Sequence, residues 1–488
     1  MIPKNLMYDT KVNSSSSRSW KANLPPSGAS GPFKANDVIT INIPTGQNLV
    51  TVMSENYLKF DVTFTFTAAN AYLRWDSHGA HGLINRLRIS HGSNLLEDTE
   101  DYSALAKMLF DIQVNTSSAY GKYNILCGTR ADYVANMNAV AGADATALAN
   151  RKLTVRQVNS GERIGQAGAG SFPTFASTDT ITKTYCLSLI SLCGTLCDSK
   201  YFPLFECSNL PLKLEIFLQP STISAICTKE DVTTFSLSNV EYIANMIELS
   251  DNAISTIRSS LNGNPLQFVI PQYRSYNFSG QVINKDGTSS FSIPIAAKYA
   301  SLKAIFVMIR DSTKPAKTFF PISSHTFNLI DYTFKIGAKT VPAKAPATYP
   351  EMYAELVKAI GSLSDLRYNP SIEMLSYCGN ACKSETTGNV NDATKAQSYG
   401  MIPTANDDSA TEIGWVSSGS FYIGLDCESY SNADKSQIFT GLNTTNSDVT
   451  LNANFYGLTA AAVSVRFTSF ANFDATLIFE NGSAFLAL

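Results

Sequence analysis

Four histidines, nine cysteines and one dense acidic cluster are the residues from which a reaction centre could be built. His78 and His81, in Ser-His-Gly-Ala-His-Gly, have the i, i+3 spacing that a helix turns into a metal-binding pair. Gly79 and Gly82 oppose a helix there, so the two read as loop histidines. His91 and His325 fall in polar turns with no carboxylate or cysteine pattern beside them. Cys193/Cys197 and Cys378/Cys382 are spaced C-x-x-x-C, not the C-x-x-C of zinc knuckles and redox sites. On a strand, residues four apart are about 13 Å apart, too far to share one ion. Cys186, Cys207 and Cys427 lie in alternating segments and read as small core residues. Glu97, Asp98, Glu100 and Asp101 could pair as catalytic carboxylates or hold a divalent cation, but they sit where a helix begins, and anions there complement its dipole. Gly161, Gly165, Gly168 and Gly170 do not have G-x-G-x-x-G spacing, and no strand leads into them. With neither a P-loop nor G-x-S-x-G present, the sequence assigns no catalytic, cofactor-binding or metal-binding residue, and the chain reads as a non-enzyme.

The elements that position these residues are mostly strands. Ile39, Ile41 and Ile43 share one face; Leu58, Phe60, Val62, Phe64 and Phe66 share another, opposite Tyr57, Lys59, Asp61, Thr63 and Thr65. The same period of two recurs at Leu210–Leu218, Tyr332–Ile336, Phe421–Leu425, Val449–Phe455 and Val463–Phe467, a pattern suited to antiparallel sandwiches. Two helices interrupt it. Thr99 is placed to cap the first, whose stripe is Tyr102, Leu105, Leu109 and Ile112; the second opens on Thr348-x-x-Glu351, a capping box with Pro350 in its first turn, and its stripe is Tyr353, Leu356, Val357 and Ile360. Both carry Tyr-x-x-Leu-x-Lys, at Tyr102/Leu105/Lys107 and Tyr353/Leu356/Lys358, and both follow a strand that ends in a Gly turn, at Gly92 and Gly337. This weak repeat, of about half the chain, predicts a duplicated β domain divided at a connector near Ser250 to Pro265.

Composition bounds the partners. The 488 residues are 44% apolar and only 16% charged, which excludes a disordered or coiled-coil chain. A net charge of −3 gives no global basic field for nucleic acid or an anionic membrane, so no specific nucleic-acid site is assigned. Residues 1–35, rich in Ser, Pro and Gly, read as an arm; Lys4, Lys11, Arg18, Lys21 and Lys34 against Asp9 leave it at +4, and five phosphate contacts would give a salt slope of about −4.5, enough only for weak association. Residues 116–178 and 366–418 read as long loops projecting from the sandwiches. Met1 to Lys11 lacks the apolar core of a signal peptide, and no stretch approaches the roughly 18 apolar residues of a spanning helix. The cysteines are therefore expected as reduced intracellular thiols, and the sequons at Asn13, Asn115, Asn277, Asn443 and Asn481 as unused.

Four segments of the second half then become familiar: Leu329-Ile-Asp-Tyr-Thr-Phe-Lys-Ile-Gly337 with Glu351-Met-Tyr-Ala-Glu-Leu-Val-Lys-Ala359; Phe421-Tyr-Ile-Gly-Leu-Asp426; Ser436 to Asn443 with Val449-Thr-Leu-Asn-Ala-Asn-Phe455; and Phe473-Asp-Ala-Thr-Leu-Ile-Phe-Glu-Asn-Gly482. In the first half Tyr57-Leu-Lys-Phe, Gly82-Leu-Ile-Asn-Arg-Leu-Arg-Ile, Leu96-Glu-Asp-x-x-Asp-Tyr102, Phe202-Pro-Leu, Leu212-Lys-Leu-Glu-Ile216 and Asn239-Val-Glu-Tyr come in a similar order. The set resembles the double jelly-roll major capsid proteins of icosahedral DNA viruses, in the polinton-like, adintovirus-like and virophage-like group. The resemblance implies an all-β chain of two tandem eight-stranded antiparallel jelly-roll sandwiches with short bracing helices: an arm (1–35), a first jelly roll (36–249), a linker (250–266) and a second jelly roll (267–488). It implies homotrimers that tile an icosahedral shell around a DNA genome as pseudo-hexameric capsomers. Their partners are copies of the chain and minor capsid and penton proteins, with the arm facing an internal layer, the virion as location and assembly inside the host cell. A tandem β-sandwich adhesin or glycan-binding protein is the alternative, disfavoured by the absent secretion signal.

Overall fold

The structure is a computed structural model that describes residues 17–65, 73–128, 163–164, 180–197, 201–207, 210–228, 234–312, 322–361, 363–364, 370–372, 374–378, 419–428, 440–457 and 462–487. Apart from two-residue pairings, the first half contributes β1 (Arg18–Leu24), β2 (Val38–Ile43), β3 (Leu49–Val52), β4 (Tyr57–Thr65), β5 (Ile84–His91), β6 (Asn94–Thr99), β7 (Thr180–Leu187), β8 (Leu212–Leu218) and β9 (Thr234–Glu248). The alternation foreseen in β2, β4 and β8 is observed: Ile39, Ile41, Ile43, Leu58, Phe60, Val62, Phe64, Leu212, Leu214 and Ile216 are buried. One sheet runs β2-β8-β5-β6. In the facing one, β4 lies between β7 and β9, and β1 pairs with the far edge of β9 from Arg18↔Glu248 to Leu24↔Tyr242.

The second half contributes β10 (Leu266–Ile283), β11 (Thr288–Ile295), β12 (Leu302–Asp311), β13 (Leu329–Ile336), β14 (Lys339–Val341), β15 (Tyr422–Asp426), β16 (Val449–Tyr456), β17 (Val463–Glu480) and β18 (Ser483–Ala487). Its sheets run β11-β16-β13-β14 and β10-β17-β12-β15, with β18 on β17. Phe291 of β11 and Phe455 of β16 each meet Phe467 of β17 edge-on at 6.2 Å, so the sheets close on an apolar interior. Strand for strand, β10, β11, β12, β13, β14, β15, β16 and β17 hold the places that β1, β2, β4, β5, β6, β7, β8 and β9 hold in the first half. Among the described residues the chain is two antiparallel jelly rolls whose eight corresponding strands share one connectivity, with β3 and β18 as additions outside that correspondence. That correspondence corrects one expectation: residues 18–24 are not arm but the first strand of the first jelly roll. Trp20, Ala22 and Leu24 alternate against the core there.

Three helices bear on how the two halves are joined. The first, α1 (Tyr102–Gln113), comes after the β5–β6 hairpin, and α3 (Tyr349–Ile360) comes after the β13–β14 hairpin, at matching points of the two jelly rolls. Between the halves, α2 (Asp251–Ser260) is capped by the Ser250 hydroxyl, which accepts from the Ala253 amide. The capping box of α3 is present, with Thr348 and Glu351 exchanging side-chain and backbone bonds. Thr348→Ala is therefore expected to cost about 1 kcal/mol in urea unfolding, and an unchanged midpoint would mean the cap contributes nothing. For α1 the expected cap is wrong: Thr99 ends β6, and Asp101, left-handed at φ 50, takes the N-cap position without a side-chain cap bond. The expected stripe is also too narrow, since every residue from Tyr102 to Ile112 is buried.

Candidate functional site

A helix buried all round has no solvent face to turn outward. α1 is such a helix because the second jelly roll covers the side that the first leaves open. Its polar residues, Ser103, Lys107 and Asp111, are buried with it and must find partners inside. Lys107 Nζ donates to Asp111 Oδ2 at 2.9 Å, to Asp76 Oδ1 at 3.2 Å and to Ser77 Oγ at 3.3 Å. Asp111 Oδ2 also accepts from the hydroxyls of Tyr422 (2.6 Å) and Ser420 (2.7 Å), which belong to the second jelly roll. The Ser371 hydroxyl approaches the carbonyls of Phe110 and Asp111 at 3.2 and 3.3 Å. Side-chain exposure is 0% for Lys107, 2% for Asp76 and 4% for Asp111, so this ionic knot is sealed from water.

The histidines surround it. A short 3-10 turn, Gly79–Leu83, begins after His78, and both His78 and His81 are buried, which corrects their reading as loop residues. Gly79 allows the turn: it sits at φ +56, and a Cβ there would strike the Cys127 carbonyl. His81 Nδ1 lies 3.1 Å from the Tyr102 hydroxyl, which accepts from the Ile190 amide at 2.9 Å. Neither ring nitrogen of His78 has a hydrogen-bond partner among the described residues. Burial holds all three of His78, His81 and His325 neutral, with pKa values lowered to about 4, about 3 and about 3. Nearby, burial pushes Glu97 up to about 8, against the Leu192 amide that donates to its Oε2 at 2.7 Å.

The seam continues along both flanks of α1. Asp101 takes Arg466 in an ion pair at 2.5 Å, faces Arg310 at 3.8 Å and accepts from the Asn277 side chain. The Gln272 amide donates to the Leu96 carbonyl, and Asn94 donates to the Ala484 carbonyl. His91 Nδ1 accepts from the Ala484 amide at 3.2 Å, so its Nε2 carries the proton donated to the Leu210 carbonyl at 2.9 Å. His91 is thus a buried bridge rather than a turn residue.

The acidic cluster disperses. Asp98 pairs with Arg86 at 2.5 Å, Glu100 lies 3.4 Å from Arg86, Glu97 is buried, and Asp101 joins the seam; none meets another as a catalytic pair. Cys193, Cys197, Cys207 and Cys427 are buried, while Cys186 and Cys378 are half-buried. Among the described residues no three His, Cys, Asp or Glu side chains are grouped to hold a metal ion, and no helix is long and apolar enough to cross a membrane. Cys382, the glycines Gly161, Gly165, Gly168 and Gly170, residues 1–16 and most of 116–178 and 366–418 lie outside the described residues. Sequence reasoning missed Asp76, Lys107, Asp111, Ser420 and Tyr422. The available signal was the far face of α1, where Ala104, Ala106, Met108 and Phe110 are too apolar for water. The arrangement does not present groups to a substrate; it fastens two sandwiches side by side.

No family model matches the chain, and no curated protein matches its sequence. Solved structures match its fold over nearly its whole length. A chain of the Sputnik virophage particle is similar with a TM-score of 0.59 at 10% identity, covering 98% of this chain and 89% of that one. The faustovirus major capsid protein is similar with a TM-score of 0.54 at 9% identity, covering 97% and 92%. The mavirus major capsid protein is similar with a TM-score of 0.52 at 14% identity, covering 96% and 90%. The shared feature is the double jelly roll.

Proposed function

We propose that the chain is a major capsid protein that assembles with copies of itself into the shell of a DNA virus. The observation that carries this reading is the pairing of two like-connected jelly rolls into one block, over the full length at which the mavirus and faustovirus major capsid proteins are similar. Three such blocks around a three-fold axis present six sandwiches, a pseudo-hexagonal tile that packs a curved surface. Tiling needs a fixed angle between the sandwiches, which the buried seam supplies; a hinge there would blur the tile. The work is mechanical, and obligate contacts within the trimer should exceed about 2,000 Å², with smaller, reversible contacts between tiles so that errors can dissociate. Minor capsid and penton proteins complete the shell; the location is the virion, after assembly in the host cell. Negative-stain electron microscopy of the purified chain is expected to show particles of hexagonal outline or closed shells. Uniform small monomers that bind sugars would replace this reading with an adhesin.

A further inference from the structure

An ionic knot sealed in a core is an expensive way to join two sandwiches, because well-packed apolar residues of the same volume commonly do as well or better. The particular groups assembled here suggest what else the knot does. Lys107 is an amine held 2.9 Å from one carboxylate oxygen of Asp111 and 3.2 Å from a second carboxylate, Asp76. The same Asp111 Oδ2 is gripped by two hydroxyl donors, Tyr422 and Ser420, at 2.6 and 2.7 Å. A nucleophile, an electrophilic carbon, donors aimed at the oxygen where negative charge would develop and a proton acceptor are all present within one dry cluster.

We propose that Lys107 and Asp111 condense into an intramolecular amide, joining Nζ to Cγ. The ammonium passes a proton along its hydrogen bond to Asp76 Oδ1, 3.2 Å away. The neutral amine adds to Cγ of Asp111 as its carboxyl takes up that proton, and the oxyanion on Oδ2 is held by Tyr422 and Ser420. The C–Oδ1 bond then breaks. A second ammonium proton, again relayed through Asp76, leaves with that oxygen as water. An ammonium and a carboxylate become one amide and one water, with no oxidant, reductant or further reactant.

The residues are one helical turn apart, so the link adds little topological constraint. Its effect is electrostatic: two buried charges disappear and the amide oxygen remains bonded across the seam. Because both oxyanion donors come from the second jelly roll, the bond forms only after the two halves have docked, which makes it a covalent record of correct folding.

Mass spectrometry of the purified, denatured full-length chain decides the matter. The expected mass is one water, about 18 Da, below that of the sequence, with the loss mapped by fragmentation to the peptide spanning 107–111 and no tryptic cleavage after Lys107. Lys107→Met and Asp76→Asn should each restore the full mass, the second while keeping shape. An unmodified wild-type mass, or a water lost elsewhere such as at Asp286-Gly287, overturns the proposal.

Discussion

Acidification from pH 7 to pH 5 is expected to cost the folded protein about 3 kcal/mol, and about 6 kcal/mol by pH 4, through four buried groups alone. His78, His81 and His325 are neutral inside, with pKa values of about 4, about 3 and about 3 against 6.5 in the unfolded chain. Below pH 6.5 the unfolded chain binds protons that the folded one refuses, so stability falls as pH falls. Glu97 works the other way: its folded value of about 8 lies above the ordinary 4.5, so the folded state holds an extra proton between these values and stability falls as pH rises through them. Three groups outweigh one on the acid side. The profile should be flat near pH 7, steep below about pH 6 and gently declining toward pH 8. Glu97→Gln removes the carboxyl that must stay protonated; it should abolish the alkaline decline and raise stability at pH 8 by a few kcal/mol. Urea unfolding at a series of pH values checks both, and a stability that rises from pH 6 to pH 4 would contradict the burial of the histidines.

The second large effect concerns the ionic flank of the seam. Asp101→Asn is expected to destabilise the protein by about 3 kcal/mol or more, because it leaves the largely buried Arg310 without its counter-charge and facing Arg466. Arg310 is already strained electrostatically: burial pulls it down to about 10, with Asp101 acting to restore it and Arg466 to lower it further. Asparagine tolerates the left-handed backbone that Asp101 adopts at φ 50, so the substitution isolates charge from conformation. The double variant Asp101→Asn/Arg310→Met should regain at least half of the loss, since the buried charge is then gone with its partner. A loss below about 0.5 kcal/mol for the single variant, the range of an ordinary surface change, would mean that the pair does not couple the two jelly rolls.

The strands were legible because each reports on its own environment. Ile39, Ile41 and Ile43 alternate with polar neighbours whether or not the partner strand is known, and the Thr348–Glu351 box closes within four residues. The seam was not legible because its bonds join residues that local pattern cannot relate: Arg466 and Asp101 are 365 positions apart, and Tyr422 and Asp111 are 311 apart. Lys107 and Asp111, four residues apart on a helix, look like an ordinary surface pair until the second jelly roll is laid over them. The histidines misled for a related reason: glycines at 79 and 82 do exclude a regular helix, yet a tight buried turn uses the same residues as an exposed loop. Trp20, Ala22 and Leu24 carry a readable alternation, but the Ser- and Pro-rich sequence on either side makes β1 look like part of an arm.

Light scattering on the size-exclusion peak of the purified chain at neutral pH tests most directly whether these paired sandwiches exist to build a shell. The expected mass is about 159 kDa, three times the 52.9-kDa chain, or the far larger mass of closed particles. A single species at 52.9 kDa that stays monomeric as concentration rises would contradict it.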